Sequence, residues 1–287
     1  MVIAACAVCA FLSGAPVRSQ STDPTHAIDP VELSILLPAY ANPHTEEGTV
    51  MWKTLAQLSR QRPAGLKIEI IFNPASGPGE SCDRNYLRAD GSGPLADVQD
   101  LRVYGYVTTG YAKRRAADVK REIDQYATGF YAGLVSGIFF DETSSDLNTA
   151  AYYRDLSEYA HAAIKSRTGQ PTMTISNPGI GEVQGPVDPE RLKAYATAMD
   201  RMVVFENAAE LYHAAEPAFA KAFLPPHRLA HIVHTQAKWD PSMVDAMRRR
   251  GAFHIFMTDA TMPNPYHRLP SYFEQLCGWV ADFNQSL

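Results

Sequence analysis

Val135-Ser136-Gly137-Ile138-Phe139-Phe140-Asp141-Glu142 is apolar almost to its end, where it closes on two adjacent carboxylates. A run this short, rich in branched and aromatic residues and without polar alternation, has the character of a strand buried on both faces of a parallel sheet. With its strand read as Val135–Asp141, it has seven counterparts, at Ser34–Tyr40, Lys67–Asn73, Arg102–Thr108, Thr172–Asn177, Met202–Glu206, Leu229–Thr235 and Phe253–Thr258. The segments between them have helical spacing. Tyr152, Leu156, Tyr159 and Ala163 are expected to share one helix face, as are Val119, Ile123 and Tyr126. Asp188-Pro189 and Asp240-Pro241 each set an N-cap carboxylate before a proline at the first helical position. Gly251 is expected at the C′ position after Met243, Val244 and Met247. The unit after the second strand differs, because Asp90-Gly91-Ser92-Gly93-Pro94 breaks any helix there and predicts an elaborated loop. Eight strands alternating with helices, with no hairpin signal between them, predict an α/β fold, a single closed (β/α)8 TIM barrel. A doubly wound open sheet is the alternative. It would ordinarily carry a Gly-rich phosphate loop after the first strand, where this chain has Pro38-Ala39-Tyr40-Ala41-Asn42-Pro43.

The chain ends and composition bound the rest. The 287 residues are 46% hydrophobic and 20% charged, as in soluble globular proteins, which excludes disorder, collagen and a coiled coil. Lys and Arg number 26 against 31 Asp and Glu, and the resulting charge of −5 removes the electrostatic basis for nucleic-acid binding. A neutral or cationic ligand fits better. Val2 to Leu12 is continuously apolar and is followed by Ser13, Gly14, Ala15, Arg18 and Ser19. It is too short to span a bilayer and has the length of a signal-peptide core. Residues 1–20 are therefore read as a signal peptide, 21–30 as a polar linker and 31–287 as one catalytic barrel, secreted or periplasmic, with no membrane span and monomeric. A buried N-terminal strand or helix is the other reading of the first residues. The lipobox-like Ile3-Ala4-Ala5-Cys6 lies too close to the N-terminus for a lipid anchor. Loss of the leader leaves Cys82 and Cys277, for which one disulfide and two free thiols are equally open. Beyond Cys6-Ala7-Val8-Cys9 of the leader there is no CxxC, HExxH or zinc-type spacing, and His231 and His234 would point to opposite faces of one strand, so no metal or cofactor is expected.

In a (β/α)8 barrel the loops after the strands converge on one mouth. The strand ends bring there Tyr40, Asn73, Thr108, Asp141, Glu142, Asn177, Glu206, Asn207, His234, Gln236 and Asp259. Asp141, Glu142 and Glu206 directly follow strongly apolar runs, at a rim where desolvation raises a carboxyl pKa, as a general acid near neutral pH requires. Strands four and six lie on the same side of the mouth, so their acids are expected to face each other across a bound sugar. One would protonate the leaving oxygen while the other attacks C1 or activates water. The competing reading is that these acids cap helices or pair with Arg and Lys. Tyr40, Tyr106, Tyr111, Trp239 and Tyr266 are suited to stacking on sugar faces, and Asn73, Asn177 and Asn207 to bonding hydroxyl or acetamido groups. Thr108, His234 and Asp259 complete the expected substrate-binding set. Tyr106, with Tyr104, reads equally well as barrel filling.

Several motifs, taken in order, resemble one known family. Leu37-Pro38-Ala39-Tyr40, Ile71-Phe72-Asn73-Pro74-Ala75-Ser76-Gly77-Pro78-Gly79, Gly105-Tyr106-Val107-Thr108-Thr109-Gly110-Tyr111, Gly137-Ile138-Phe139-Phe140-Asp141-Glu142, Asn177-Pro178-Gly179 and Val203-Val204-Phe205-Glu206-Asn207 together resemble the spherulation-specific family 4 (spherulin-4-like) proteins, from about Ser34 to Asn207. The resemblance implies a (β/α)8 glycoside hydrolase fold related to glycoside hydrolase family 135, whose characterised activity is endo-cleavage of α-1,4-linked N-acetylgalactosamine in galactosaminogalactan-type polysaccharides. It also implies that the required acids are Asp141, Glu142 and Glu206. The expectation is an exported endo-acting glycosidase for an amino-sugar exopolysaccharide, such as that of a biofilm. Glu206 is expected as general acid/base and Asp141 as nucleophile, with Glu142 tuning the pair or orienting substrate. On an N-acetylated substrate the sugar's own acetamido oxygen is the alternative nucleophile. A non-catalytic carbohydrate-binding or wall protein that keeps the barrel is the rival from another class. A polysaccharide deacetylase is a third, and would call for a metal site.

Overall fold

In the computed structural model, which describes residues 31–164, 171–179, 188–214 and 223–287, the eight apolar runs become parallel strands bonded in chain order into a closed barrel. They are β1 (Ser34–Ala39), β2 (Ile68–Phe72), β3 (Arg102–Thr108), β4 (Gly137–Asp141), β5 (Met173–Ser176), β6 (Arg201–Ala208), β7 (Leu229–His234) and β8 (His254–Met257). Pairing of Ser34 with His254 and of Ile35 with Ile255 closes the ring. Around it run α1 (Glu46–Arg60), α2 (Ala116–Ala127), α3 (Ala150–Ala163), α4 (Pro189–Ala196), the single turn α5 (Ala209–Tyr212), α6 (Pro241–Arg249) and α7 (Phe273–Gln285). β1 and β2 are buried along their whole length, because one face fills the barrel and the other packs on helices. The leader and linker expected over 1–30 lie outside the described residues. Among the described residues no helix is long and apolar enough to cross a membrane.

The local signals act as the sequence predicts. The Asp188 and Asp240 side chains accept from the backbone N–H groups of Glu190 (3.0 Å) and Ser242 (2.9 Å), and each helix begins on its proline. Gly251 takes φ +90° after α6, in the left-handed region that glycine tolerates. No α-helix joins β2 to β3, and this connection carries only a 3₁₀ turn at Ala96–Val98. Its Tyr86 instead packs edge-on against Trp52 and Phe72, with centroids 5.4 and 5.0 Å apart, and so anchors the loop in the core.

Two expectations are settled differently. On α3 the buried face is Tyr153, Leu156, Ser157 and Ala160, rotated from the one expected. Tyr152 and Tyr159 lie at its edge because their hydroxyls have polar partners, the carbonyl of Arg114 (2.9 Å) and the Asp124 carboxylate (2.8 Å). Cys82 and Cys277 are both free thiols, which resolves the open choice against a bridge.

Candidate active site

The mouth depends on where alternation along the strands delivers its acids. In β4, Asp141 follows Phe139 by two residues, on the face where Phe139 stacks with Tyr106, so it points into the barrel. Glu206 needs a second device. Arg201, at the start of β6, reaches the interior residue Glu69, and five residues on a regular strand would turn Glu206 outward. The register of β6 against β7 shifts between Val203 and Phe205. That irregularity sends Phe205 outward onto Tyr212, with centroids 4.8 Å apart, and Glu206 inward.

Asn177 links the two acids. Its Nδ2 donates to Asp141 Oδ1 (2.7 Å) and to Glu206 Oε2 (2.5 Å). Its Oδ1 accepts from the Gly179 N–H (3.0 Å), which fixes the amide's orientation. Two oxygens bound to one nitrogen cannot be further apart than the two bonds laid end to end, so these lie within about 5.2 Å of each other. The outer oxygens are held by phenols: Tyr106 donates to Asp141 Oδ2 (2.6 Å) and Tyr266 to Glu206 Oε1 (2.5 Å). Tyr40 stands edge-on to both rings, with centroids 5.7 and 5.4 Å away.

Every donor to this pair is neutral, and among the described residues no Lys or Arg forms an ion pair with either acid. Burial therefore raises the pKa of Asp141, against the opposing hydrogen bonds of Tyr106, the Glu142 backbone and Asn177. Burial and the charge of Asp141 together raise that of Glu206, against the bonds from Tyr266 and Asn177. Burial and the neighbouring carboxylates push Tyr40, Tyr106 and Tyr266 upward as well, which keeps all three protonated and Tyr106 and Tyr266 donating.

A cavity of about 770 Å³ opens over the pair and collects Tyr40, Asn73, Asn207, His234 and Tyr266 from the expected residues. Tyr106 and Asn177 reach the acids directly rather than lining it. The remaining expected residues lie elsewhere. Glu142 is exposed, with φ +50°, and its carboxylate is bonded by the Thr108 hydroxyl outside the cavity. Tyr111 is 54% exposed and donates its backbone N–H to the Glu142 carbonyl (2.6 Å), which places it on the rim beside Glu142. Asp259 pairs with Arg268 (2.8 Å), which helps hold its carboxyl below the ordinary range, so it braces the loop after β8. Trp239 packs on Tyr272, centroids 6.0 Å apart, away from the cavity. In its place the wall is built by Met262-Pro263-Asn264-Pro265-Tyr266 and by Pro74, Ala75 and Ser76. Two prolines in five residues, in the loop after the last strand, are the sequence signal for that rigid wall. Among the described residues, no cluster of three or more His, Cys, Asp and Glu is arranged to hold a metal ion.

A family model for the spherulation-specific family 4 matches residues 34–280. Spherulin-4 of Physarum polycephalum is 34% identical over 177 residues, a match that covers 61% of this chain and 45% of that protein, less than half its length. Among solved structures, Aspergillus clavatus Sph3 in complex with GalNAc superposes with a TM-score of 0.64 at 22% identity, covering 88% of this chain and 98% of its own. A class V chitinase from Pseudomonas fluorescens Pf-5 reaches a TM-score of 0.48 at 11% identity, covering 88% and 99%. The Sph3 likeness is one of fold.

Proposed function

From the premise that the chain belongs to the spherulation-specific family 4, we propose that it is a glycoside hydrolase, exported by its N-terminal segment, that cleaves an amino-sugar polysaccharide internally. The observation that carries this reading is the Asp141–Asn177–Glu206 bridge, two carboxylates tied to one amide under an open cavity. The two oxygens bound to Asn177 are at most about 5.2 Å apart, below the ~6.5–9.5 Å of inverting glycosidases, which supports a retaining mechanism.

Burial raises the pKa of both acids, and the proton they hold is assigned to Glu206, keeping Asp141 ionised as the nucleophile. Glu206 then protonates the glycosidic oxygen as it leaves. Asp141, oriented by Tyr106 and Asn177, attacks C1 to form a glycosyl ester. Glu206, now ionised, takes a proton from the water that cleaves that ester. If the sugar is N-acetylated and β-linked, its acetamido oxygen can close on C1 from the face opposite the leaving group, with Asp141 orienting the amide. Glu142, bonded to Thr108 beyond the cavity wall, orients a neighbouring sugar unit rather than the reacting one. The GalNAc bound by Sph3 supports an amino sugar as substrate, and the cavity of about 770 Å³ is of a size for a small ligand. Exposed Tyr111 and Met262 offer apolar platforms for a longer chain. The protein acts as a monomer.

The test is incubation with galactosamine-, glucosamine- and neutral-sugar polysaccharides, following released oligosaccharides and their early anomeric configuration by NMR. Retained products from an amino-sugar polymer are expected. Binding without any release would instead favour a carbohydrate-binding wall protein.

A further inference from the structure

A second groove, of about 730 Å³, runs along the outside of the barrel between α1 and the loop that replaces the helix after β2. Its walls carry Lys53 and Arg60 from α1 and Arg84 and Arg88 from the loop, against one carboxylate, Asp97. Lys53, Arg60 and Arg84 make no hydrogen bond or ion pair among the described residues, and the Arg88 guanidinium bonds the Ser92 hydroxyl (3.3 Å), near enough to Asp90 for their charges to interact. Elsewhere Lys67, Arg114, Lys120, Arg121, Arg201 and Arg268 each pair with an acid. In a chain with a net charge of −5, four cations gathered in one groove with one acid run against the overall balance.

The walls are fixed. Trp52 at the floor is 2% exposed, donates to the Ala41 carbonyl (2.9 Å) and packs edge-on against Tyr86 of the loop. Asn42 donates to Asp83 (3.0 Å), which ties the loop to the β1 end. Lys53 and Arg60 are seven positions apart, two helical turns or about 10 Å along α1, with Arg84 and Arg88 facing them. Two opposed rows of cations suit anionic groups repeated along a chain better than a single small ion. Pro43 and His44, which belong to this groove, follow Tyr40 of the catalytic cavity by three and four residues, so a strand could pass from one to the other.

We propose that this groove is a second, non-catalytic binding site for a carboxylate-bearing polysaccharide, anchoring the protein to an anionic polymer beside the chain it cleaves. The test uses polygalacturonate oligomers as the probe in calorimetric titrations of the full protein, with neutral dextran, inorganic phosphate and a DNA oligonucleotide of equal charge as comparators. Polygalacturonate is expected to bind with an affinity that falls steeply as salt rises. The Lys53→Gln/Arg60→Gln/Arg84→Gln variant should bind about tenfold or more weakly, with unchanged Tm and unchanged release from an amino-sugar polymer. The single reversal Arg84→Glu, on an exposed loop position, should weaken binding in the same direction. Binding no tighter than that of dextran, or undiminished in both variants, would overturn the proposal. Phosphate binding as tightly as the oligomer would reduce the groove to a single-anion site, and tighter binding of DNA would assign it to nucleic acid. Either result rejects the polysaccharide. Titration needs no turnover, so a protein that cleaves nothing would refute the glycosidase reading and leave this one to its own result.

Discussion

Tyr266 and Glu206 are sixty residues apart in the chain and joined by a 2.5 Å hydrogen bond that opposes the upward push of burial on the Glu206 carboxyl. Removing the phenol while keeping the ring, in Tyr266→Phe, deletes a bond that favours the ionised form, so the Glu206 pKa should climb further. The alkaline limb of the kcat/KM profile, which reports loss of the acid's proton, should then move to higher pH. A limb that stays in place or moves down would remove Glu206 from the general-acid role. Asp141→Asn and Glu206→Gln should each lower turnover by about 10²–10⁴-fold, read from initial rates of oligosaccharide release, and a near-normal rate in either acquits that residue. The acids themselves were legible in the sequence, since each ends an apolar run, Ile138-Phe139-Phe140 and Met202-Val203-Val204-Phe205. The role of Tyr266 was not, because a hydroxyl's partner across sixty residues leaves no local pattern. Trp239 shows the converse. Its position after β7 suggested the mouth, but tertiary packing against Tyr272 took it elsewhere.

At the level of elements, β3 shows how closely a strand and its helix are fitted. A methyl group on Gly105 would fall 2.7 Å from the Tyr126 ring, and that ring is held by its hydroxyl's bond to the Tyr106 carbonyl (3.0 Å). Gly105→Ala should therefore destabilise the barrel by about 1–3 kcal/mol through overpacking, seen as a lower urea midpoint with an unchanged m-value. An unchanged midpoint would mean that α2 slides freely on the sheet. Tyr106, on the same strand, would shift with it and disturb Asp141. The strands were readable because burial on both faces writes continuous apolar runs, and the helix starts because Asp-Pro pairs have one local meaning. The face of α3 was not, since tyrosines count as apolar by spacing yet settle where their hydroxyls find partners. Nor was the irregularity in β6. An extra residue there changes no composition, and only the inward positions of both Arg201 and Glu206 reveal it.

Across the whole molecule the two ends of the barrel respond to pH in opposite directions. At the bottom, Glu69 receives Arg201 and the Tyr104 hydroxyl, and despite burial those partners hold its carboxyl well below the usual range. His254 beside it has its pKa lowered by burial and by Arg201. Its Nε2 donates to the His227 carbonyl (2.7 Å), which leaves Nδ1 to accept from Ser34. On acidification the unfolded chain binds protons at His near pH ~6.5 and at Glu near ~4.3 that these folded groups refuse, so the bottom of the barrel loses stability as pH falls. At the mouth the folded pair binds protons more readily than the unfolded chain. Asp141 and Glu206 have raised pKa values, so their ionisation opposes folding above those values and ceases to do so below about pH 4. Neutralising the mouth with Asp141→Asn/Glu206→Gln should therefore stabilise the fold at pH 7, by about 0.5–2 kcal/mol. The gain should shrink toward zero as the wild-type pair protonates in both states near pH ~4. Glu69→Gln should do the reverse, costing about 3–5 kcal/mol at pH 7 by leaving Arg201 buried without its partner, and flattening the acid limb. Urea midpoints between pH 4 and 8 for the three proteins measure all of this. If the double variant were the less stable protein at pH 7, the bonds from Asn177, Tyr106 and Tyr266 would outweigh the desolvation of the acids. The mouth would then be a structural network and not a site held ready, at a cost in stability, for proton transfer.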